Sequence, residues 1–451
     1  MIQPHVFKAN DIRGLVGGEA PEWDVAGARA IGAAFAAAFG LDGQEFVLGR
    51  DMRSGGRELS LAFADGARDQ GASVRDVGLA STDQLWFASG LTHLPGVQFT
   101  ASHNPAGYNG VKFCLGDAAP ITPELMARIR ELAYTDLPPA KTRGGYAEQD
   151  VLNDYASHLH SLVDLSGIRR LKVVVDAGNG MAGHTTPAVL GPLDVEVVGL
   201  YTDLDGTFPN HPPNPLDPAN LVDAQRVVVE QGADLALVFD GDADRCFIID
   251  ERGEVVSPAA ITALIARAEL AREPGGVIVV NTITSRAVGE VVAACGGTLV
   301  ISAVGHTRMK AQMAAHRAVF GGEHSAHYYF RDFWGADTGM LAGLHMLALV
   351  GGSGRTMSQL AAELPSYSAS GEINSTVDDP SAILADVADA FAGRGTVDWS
   401  DGLLVTGGDW WLSVRESNTE PLLRLNVEAR DGATVSALRD EALAIIRKEA
   451  S

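Results

Sequence analysis

Two short stretches, far apart in the chain, hold side chains that can do chemistry together. Thr100-Ala101-Ser102-His103-Asn104-Pro105 presents one hydroxyl, with an imidazole beside it, on a sharp turn. The turn is entered from the apolar run 97–99 and left through a proline. Asp240-Gly241-Asp242-Ala243-Asp244-Arg245 presents three carboxylates at alternate positions, between apolar runs at 235–239 and 246–249. Alternate residues of extended chain point the same way, so Asp240, Asp242 and Asp244 are expected to converge on one hard cation. A cation held by carboxylates beside a hydroxyl suits phosphoryl transfer, in which charge on phosphate oxygens must be neutralised. Calcium loops share the Asp-x-Asp-x-Asp pattern. An EF-hand counted from Asp240 needs glycine at the sixth place, where Arg245 stands, and helical flanks, where the sequence reads as strand. The EF-hand reading fails, and a plain solvated acidic turn is the remaining bland alternative.

Two more stretches weigh against that alternative. Gly321-Gly322-Glu323-His324-Ser325-Ala326-His327 sets a carboxylate, a hydroxyl and two imidazoles on a glycine-opened loop after the apolar run 318–320. Arg415-Glu416-Ser417-Asn418-Thr419-Glu420-Pro421 lies between strand-like runs at 410–414 and 422–427. Its arginine offers a bidentate fork, and its short polar residues offer hydroxyls and backbone N–H groups, which together describe a phosphate cradle.

In combination and order, these motifs resemble the α-D-phosphohexomutases, and among them the bacterial phosphomannomutases. The resemblance runs from Phe7-Lys8-Ala9-Asn10-Asp11-Ile12-Arg13-Gly14 to the Arg415 loop. It implies interconversion of D-mannose 6-phosphate and α-D-mannose 1-phosphate through a hexose 1,6-bisphosphate, which is both intermediate and activator. A phosphoglucomutase or a dual-specificity enzyme is the nearest alternative. A phosphoglucosamine mutase, a Mg²⁺-dependent phosphatase and a non-catalytic sugar-phosphate sensor are further ones. Carried over by motif, Ser102 resembles the phosphorylated serine, and Ser102, Asp240, Asp242 and Asp244 resemble the ligands of one Mg²⁺. Glu323 and Ser325 resemble contacts to sugar hydroxyls, and Arg415, Ser417, Asn418 and Thr419 resemble the site for the substrate's own phosphate. Arg13, His103, Lys112, Arg245, His306 and His327 match positions around the catalytic centre, with Lys112 or His327 as the general base. Asn10 stands where many relatives carry Tyr. Ile283 stands where some carry a substrate-facing Lys, with Arg286 as a possible substitute.

The loops need elements to hold them. A chain of 451 residues with 46% hydrophobic content can bury several cores. A buried strand leading through a polar turn into a helical segment and a second β-rich run occurs three times. The paired runs are 46–48 with 73–79, 173–175 with 195–200, and 277–280 with 299–304. This βαβ pattern predicts mixed, mostly parallel sheets covered by helices. After about residue 371 the pattern changes to strands over 402–427 and an amphipathic helix over 433–450, an α+β cap. The expected fold is therefore α/β with four domains around a central cleft: 1–143 with the serine loop, 144–252 with the metal loop, 253–366 with the sugar loop and 367–451 with the phosphate loop. Gly178-Asn179-Gly180-Met181-Ala182-Gly183 matches the dinucleotide fingerprint. The polar, proline-rich stretch 201–218 that follows carries no second strand ending in a ribose-binding acid, so the glycines are assigned to close helix–strand packing. Tyr108-Asn109-Gly110 reads as a turn returning the serine loop to a strand over 111–115.

A net charge of −23 argues against nucleic acid or an anionic membrane as partner. Arg13, Lys112, Arg245 and Arg415 would make a locally positive cleft for small hexose phosphates. The three cysteines, Cys114, Cys246 and Cys295, are widely spaced and read as small core residues in a reducing compartment. With no signal pattern at the N-terminus and no apolar window fit to span a bilayer, the expectation is a cytoplasmic protein, monomeric or homodimeric.

Overall fold

The computed structural model describes residues 1–416 and 422–447. Its strands form four sheets. The first runs, in spatial order, Asp11–Leu15, Tyr108–Cys114, Gly96–Phe99, Glu45–Arg50, Ser73–Leu79 and Tyr146–Glu148. The second runs Val255–Val256, Cys246–Asp250, Leu235–Phe239, Leu171–Asp176 and Val195–Leu200. The third runs Thr298–Ser302, Val277–Asn281, Phe320–Gly322, Tyr328–Phe330 and Ala336–Asp337.

One motif recurs in all three sheets. A first strand pairs in parallel with two later ones, and the second of these turns back through a loop into an antiparallel partner. That returning loop is 100–107 in the first sheet, 240–245 in the second and 323–327 in the third. The three loops singled out from the sequence thus occupy the same topological place, at the carboxyl ends of parallel strands where open α/β sheets form their crevices. The predicted βαβ repeat is present, and the returning hairpin extends it.

The fourth sheet is antiparallel: Ser368–Ala369, Leu422–Ala429, Trp410–Glu416, Leu403–Thr406 and Thr396–Asp398, with Ile373–Thr376 also on Leu422–Ala429. Helices Pro380–Ala390 and Gly432–Ile446 pack on it. The second is predicted over 433–450; Asp431 caps it by accepting from Thr434 N, and residues 448–450 lie outside the described residues. One apolar core joins part of the first domain to the second and third, including Leu85, Tyr155, Leu237, Leu264 and Leu344, and a second core, including Phe35, Phe46, Phe63 and Phe99, belongs to the first domain alone. The fourth sheet has its own core and meets the third domain through polar contacts: Asp401 accepts from Thr282 Oγ1 at 2.7 Å and from Val304 N at 3.0 Å.

Two local expectations are corrected. Tyr108-Asn109-Gly110 is not a turn but the start of strand Tyr108–Cys114, paired with Asp11–Leu15. Gly110 is needed there because a Cβ would lie 2.2 Å from the Ile12 carbonyl oxygen. Gly180 and Gly183 do serve close packing, but against loop backbone: a Cβ would meet Gly241 O at 2.6 Å and Thr202 O at 2.0 Å. Among the described residues, no helix is long and apolar enough to cross a membrane.

Candidate active site

The serine loop, the metal loop and the sugar loop converge. Each contains one non-glycine residue in the left-handed region: Ser102 at φ 50°, Ala243 at φ 61° and Ala326 at φ 64°. Such backbone costs about 1–2 kcal/mol per residue and persists where the surroundings over-determine it, as they do at functional sites. Ala243 also corrects the expected route to carboxylate convergence. Asp240, Asp242 and Asp244 do bring ligand oxygens within 4.8 Å of one another, but on a tight turn rather than along extended chain.

Ser102 Oγ donates to Asp240 Oδ2 at 3.0 Å and lies 3.3 Å from His103 Nδ1. Behind it, the Ser102 carbonyl sits so close to Gly241 that a Cβ there would be 2.5 Å from it. Lys112 Nζ donates to Asp242 Oδ2 at 2.7 Å and Asp244 Oδ2 at 2.6 Å. Arg245 Nε donates to Asp240 Oδ2 at 2.9 Å. Asp11 pairs with Lys112 and Arg13 with Gly110 across adjacent strands, and Arg13 reaches Asn104 Oδ1 at 2.9 Å. Arg245 and His327 pair through an isolated antiparallel bridge that joins the metal loop to the sugar loop.

The charge balance is local. Burial, then repulsion from Asp244 and Asp242, pushes the Asp240 carboxyl up to about 8 despite Arg245. Burial works against the Lys112 ammonium, but Asp242 and Asp244 outweigh it and hold its pKa above the usual lysine range. Burial and the nearby Arg245 and Arg13 keep the His103 imidazole neutral, well below its ordinary pKa. Burial and Lys310 lower His306 to about 4. Oδ1 of Asp242 and Oδ1 of Asp244 are both buried and lack a hydrogen-bond partner. Unpaired buried carboxylate oxygens, in an all-oxygen set completed by Ser102 Oγ, fit a hard cation such as Mg²⁺.

A cavity of about 220 Å³ opens on this cluster, lined among others by Asn10, Arg13, Ser102, His103, Lys112, Asp244, Arg245, His306 and His327. Glu323 lies beside it, 2% exposed, held by Tyr329 Oη at 2.6 Å, Asn281 Nδ2 at 3.2 Å and Gly305 N at 3.3 Å. Ser325 Oγ is 2.9 Å from His327 Nδ1. Arg415 is not on the cavity wall. It is the penultimate residue of strand Trp410–Glu416 rather than part of a loop, 3.9 Å from Glu372, and Asp401 and Glu323 act on its charge. Ser417, Asn418 and Thr419 lie outside the described residues. Arg286 is placed at the junction of the third and fourth domains. Its guanidinium donates to Gly408 O at 2.8 Å and its N–H to Glu428, tethering the fourth domain to the third. Ile283 is buried.

Several residues around the site carry no local sequence signal. Arg53, 4% exposed and paired with Asp51, donates to three serine-loop carbonyls, Ser102, Asn104 and Pro105, and to that of Tyr108 at the start of the next strand, at 2.6–3.2 Å. Its planar fork is what four divergent acceptors need, and a lysine could not span them. Arg53→Leu is expected to destabilise the protein by about 3–5 kcal/mol, because Asp51 is left as a buried uncompensated charge. Chemical denaturation of the variant checks this, and an unchanged midpoint would refute it. Lys310 and Asp337, paired at 2.9 Å with Lys310 over the Trp86 ring, form the far wall of the cavity.

Four domain models of the phosphoglucomutase/phosphomannomutase family match the chain: alpha/beta/alpha domains I, II and III over residues 4–137, 153–253 and 257–367, and the C-terminal domain over 372–445. The chain belongs to this family. A phosphomannomutase of Salmonella montevideo is 40% identical over 438 residues, covering 94% of each chain. A protein of Xanthomonas campestris pv. campestris named phosphohexose mutases is 40% identical, covering 96% of this chain and 97% of its own. The crystal structure of a phosphoglucomutase/phosphomannomutase family protein from Burkholderia thailandensis superposes with a TM-score of 0.90 at 32% identity, covering 100% and 99%. As a family member the chain is a mutase, an isomerase enzyme, and the buried acidic cluster is placed to hold a metal ion.

Proposed function

We propose that this mutase interconverts D-mannose 6-phosphate and α-D-mannose 1-phosphate, with glucose phosphates as second substrates, through phospho-Ser102 and a hexose 1,6-bisphosphate. The observation that carries the reading is a lone hydroxyl in strained backbone, 3.0 Å from one carboxylate of a buried triad. Asp240, Asp242, Asp244 and an oxygen on Ser102 would hold one Mg²⁺, which when bound supplies charge to neutralise the oxygens of a phosphoryl group in transfer.

The chain's own groups divide the remaining work. The free hydroxyl of the substrate forms a new O–P bond as the Ser102 Oγ–P bond breaks. Lys112, already an ammonium between two carboxylates, cannot accept the hydroxyl proton; it and Arg245 bring positive charge to the moving group. His327 faces the cavity with one ring nitrogen oriented by Ser325, and takes the proton. Arg415, with Ser417, Asn418 and Thr419, holds the substrate's own phosphate, and Glu323 and Ser325 grip ring hydroxyls. The bisphosphate then turns over, its other phosphoryl group returns to Ser102, and His327 gives the proton back. The four-domain enclosure and the Arg415 strand support a mutase over a phosphatase, which needs no second phosphate site. The mannose reading rests on the names of the relatives, and the name of the Xanthomonas relative supports the second substrate. Three free cysteines and the phosphomannomutase relatives support a cytoplasmic enzyme.

Mutase activity on mannose, glucose and glucosamine 1-phosphates, measured side by side, tests this. Mannose and glucose should both turn over with mannose preferred, since an epimeric hydroxyl that leaves no buried group unpaired is worth only about 1–3 kcal/mol. A kcat/KM for glucosamine 1-phosphate equal to that for mannose 1-phosphate overturns the mannose assignment.

A further inference from the structure

One side chain reaches the metal loop from a different domain. Thr82, fully buried, donates its Oγ1 to Asp242 Oδ2 at 2.5 Å and its N–H to the Asp242 carbonyl at 3.0 Å. Lys112 donates to the same Oδ2. Two donors on one oxygen fix the rotation of the carboxylate and leave Oδ1 as the bare, buried oxygen. Thr82 in turn opens helix Thr82–Thr92, which Ser81 caps by accepting from Gln84 N, and its neighbour Asp83 lies in the first turn. Asp83 is 1% exposed, and what it accepts are hydroxyls: Ser81 Oγ at 2.5 Å, Tyr155 Oη at 2.7 Å and Thr338 Oγ1 at 2.7 Å. Tyr155 comes from the helix Leu152–Leu162 that precedes the second sheet, and Thr338 from the N-cap of helix Gly339–Ser353 that follows the third. Three parts of the chain therefore meet at one carboxylate beside the residue that holds Asp242.

We infer that Thr82 is a positioning residue for the cation site, aiming Asp242 Oδ1 at the metal, and that the Asp83 hydroxyl knot fixes Thr82 by tying the first three domains together. This rests on the reading of Asp240, Asp242 and Asp244 as a cation site. Loss of a group that orients a metal-binding side chain typically costs about 10–100-fold in metal affinity. A purely packing role does not require the hydroxyl, because valine has the same shape.

The test uses the full-length chain with Thr82→Val, Thr82→Ser, Tyr155→Phe and Asp242→Asn. Mg²⁺ binding is measured by calorimetry and Mn²⁺ binding by electron paramagnetic resonance, with kcat and KM in parallel. Thr82→Val should weaken cation binding by about 10–100-fold, while Thr82→Ser restores near wild-type affinity. With saturating Mg²⁺, the KM for hexose phosphate should stay near the wild-type value in both. Tyr155→Phe, which removes one strut of the knot, should weaken cation binding by a smaller factor. Wild-type affinity in a folded Thr82→Val protein, with affinity lost in Asp242→Asn, overturns the inference and leaves the metal site standing. If circular dichroism shows Thr82→Val unfolded, unchanged affinity in Tyr155→Phe overturns it instead. Equal cation binding by wild type and Asp242→Asn sinks the metal-site reading itself, and the inference with it.

Discussion

Replacing Ser102 by alanine is expected to lower mutase turnover on the order of 10⁴-fold or more, because the group that carries the phosphoryl between the two sugar positions is gone. Ser102 Oγ is placed against Asp240 by a backbone conformation that alanine tolerates no worse than serine, so the variant should fold. The effect should appear in kcat with little change in substrate affinity, because the groups that would hold the sugar and its phosphate are elsewhere. Intact-mass measurement after incubation with hexose 1,6-bisphosphate should find one added phosphoryl group on the wild type and none on the variant. Phosphorylation that maps to another residue would falsify the assignment of Ser102.

The second large effect is expected at Asp242. Asp242→Asn keeps the shape but replaces a full charge that Lys112 and Thr82 now hold in place. A neutral amide is a poor ligand for a hard cation, and the transferring phosphoryl group loses part of its charge neutralisation. Turnover should fall by roughly 10²–10³-fold, the scale of one lost electrostatic contact to a transition state, and the Mg²⁺ concentration for half-maximal rate should rise. Titration of activity with Mg²⁺ after chelation reads both quantities. Chelated wild-type enzyme that retains full activity would remove the metal from the reaction.

These residues were legible because their chemistry is written locally. Ser102 stands between an apolar run and a proline, and the three aspartates alternate between two buried strands; both patterns can be read within a ten-residue window. The strands are legible for the same reason: Ser73–Leu79 and Val195–Leu200 appear with the predicted bounds, because apolar runs bounded by turn residues announce themselves. The misreadings are also local in origin. Tyr108-Asn109-Gly110 has the composition of a turn, and only the neighbouring strand Asp11–Leu15 shows that the glycine is there to let two backbones approach.

The order of chemistry-bearing loops, their residue types and the repeating βαβ plan therefore belong to the sequence, since hydrophobic periodicity and turn chemistry are short-range signals. The convergence of those loops belongs to the tertiary structure. Ala243 in left-handed backbone, rather than alternation along a strand, brings the carboxylates together. Arg53 reaches the serine loop and the start of the next strand from 49–55 positions away, Thr82 reaches Asp242 across 160 positions, and Thr338 reaches Asp83 across 255. Such hydrogen bonds leave no period in the sequence. Each is imposed by the requirement that a polar group buried at a domain junction find a partner there, and the identity of that partner is settled only when the domains have packed.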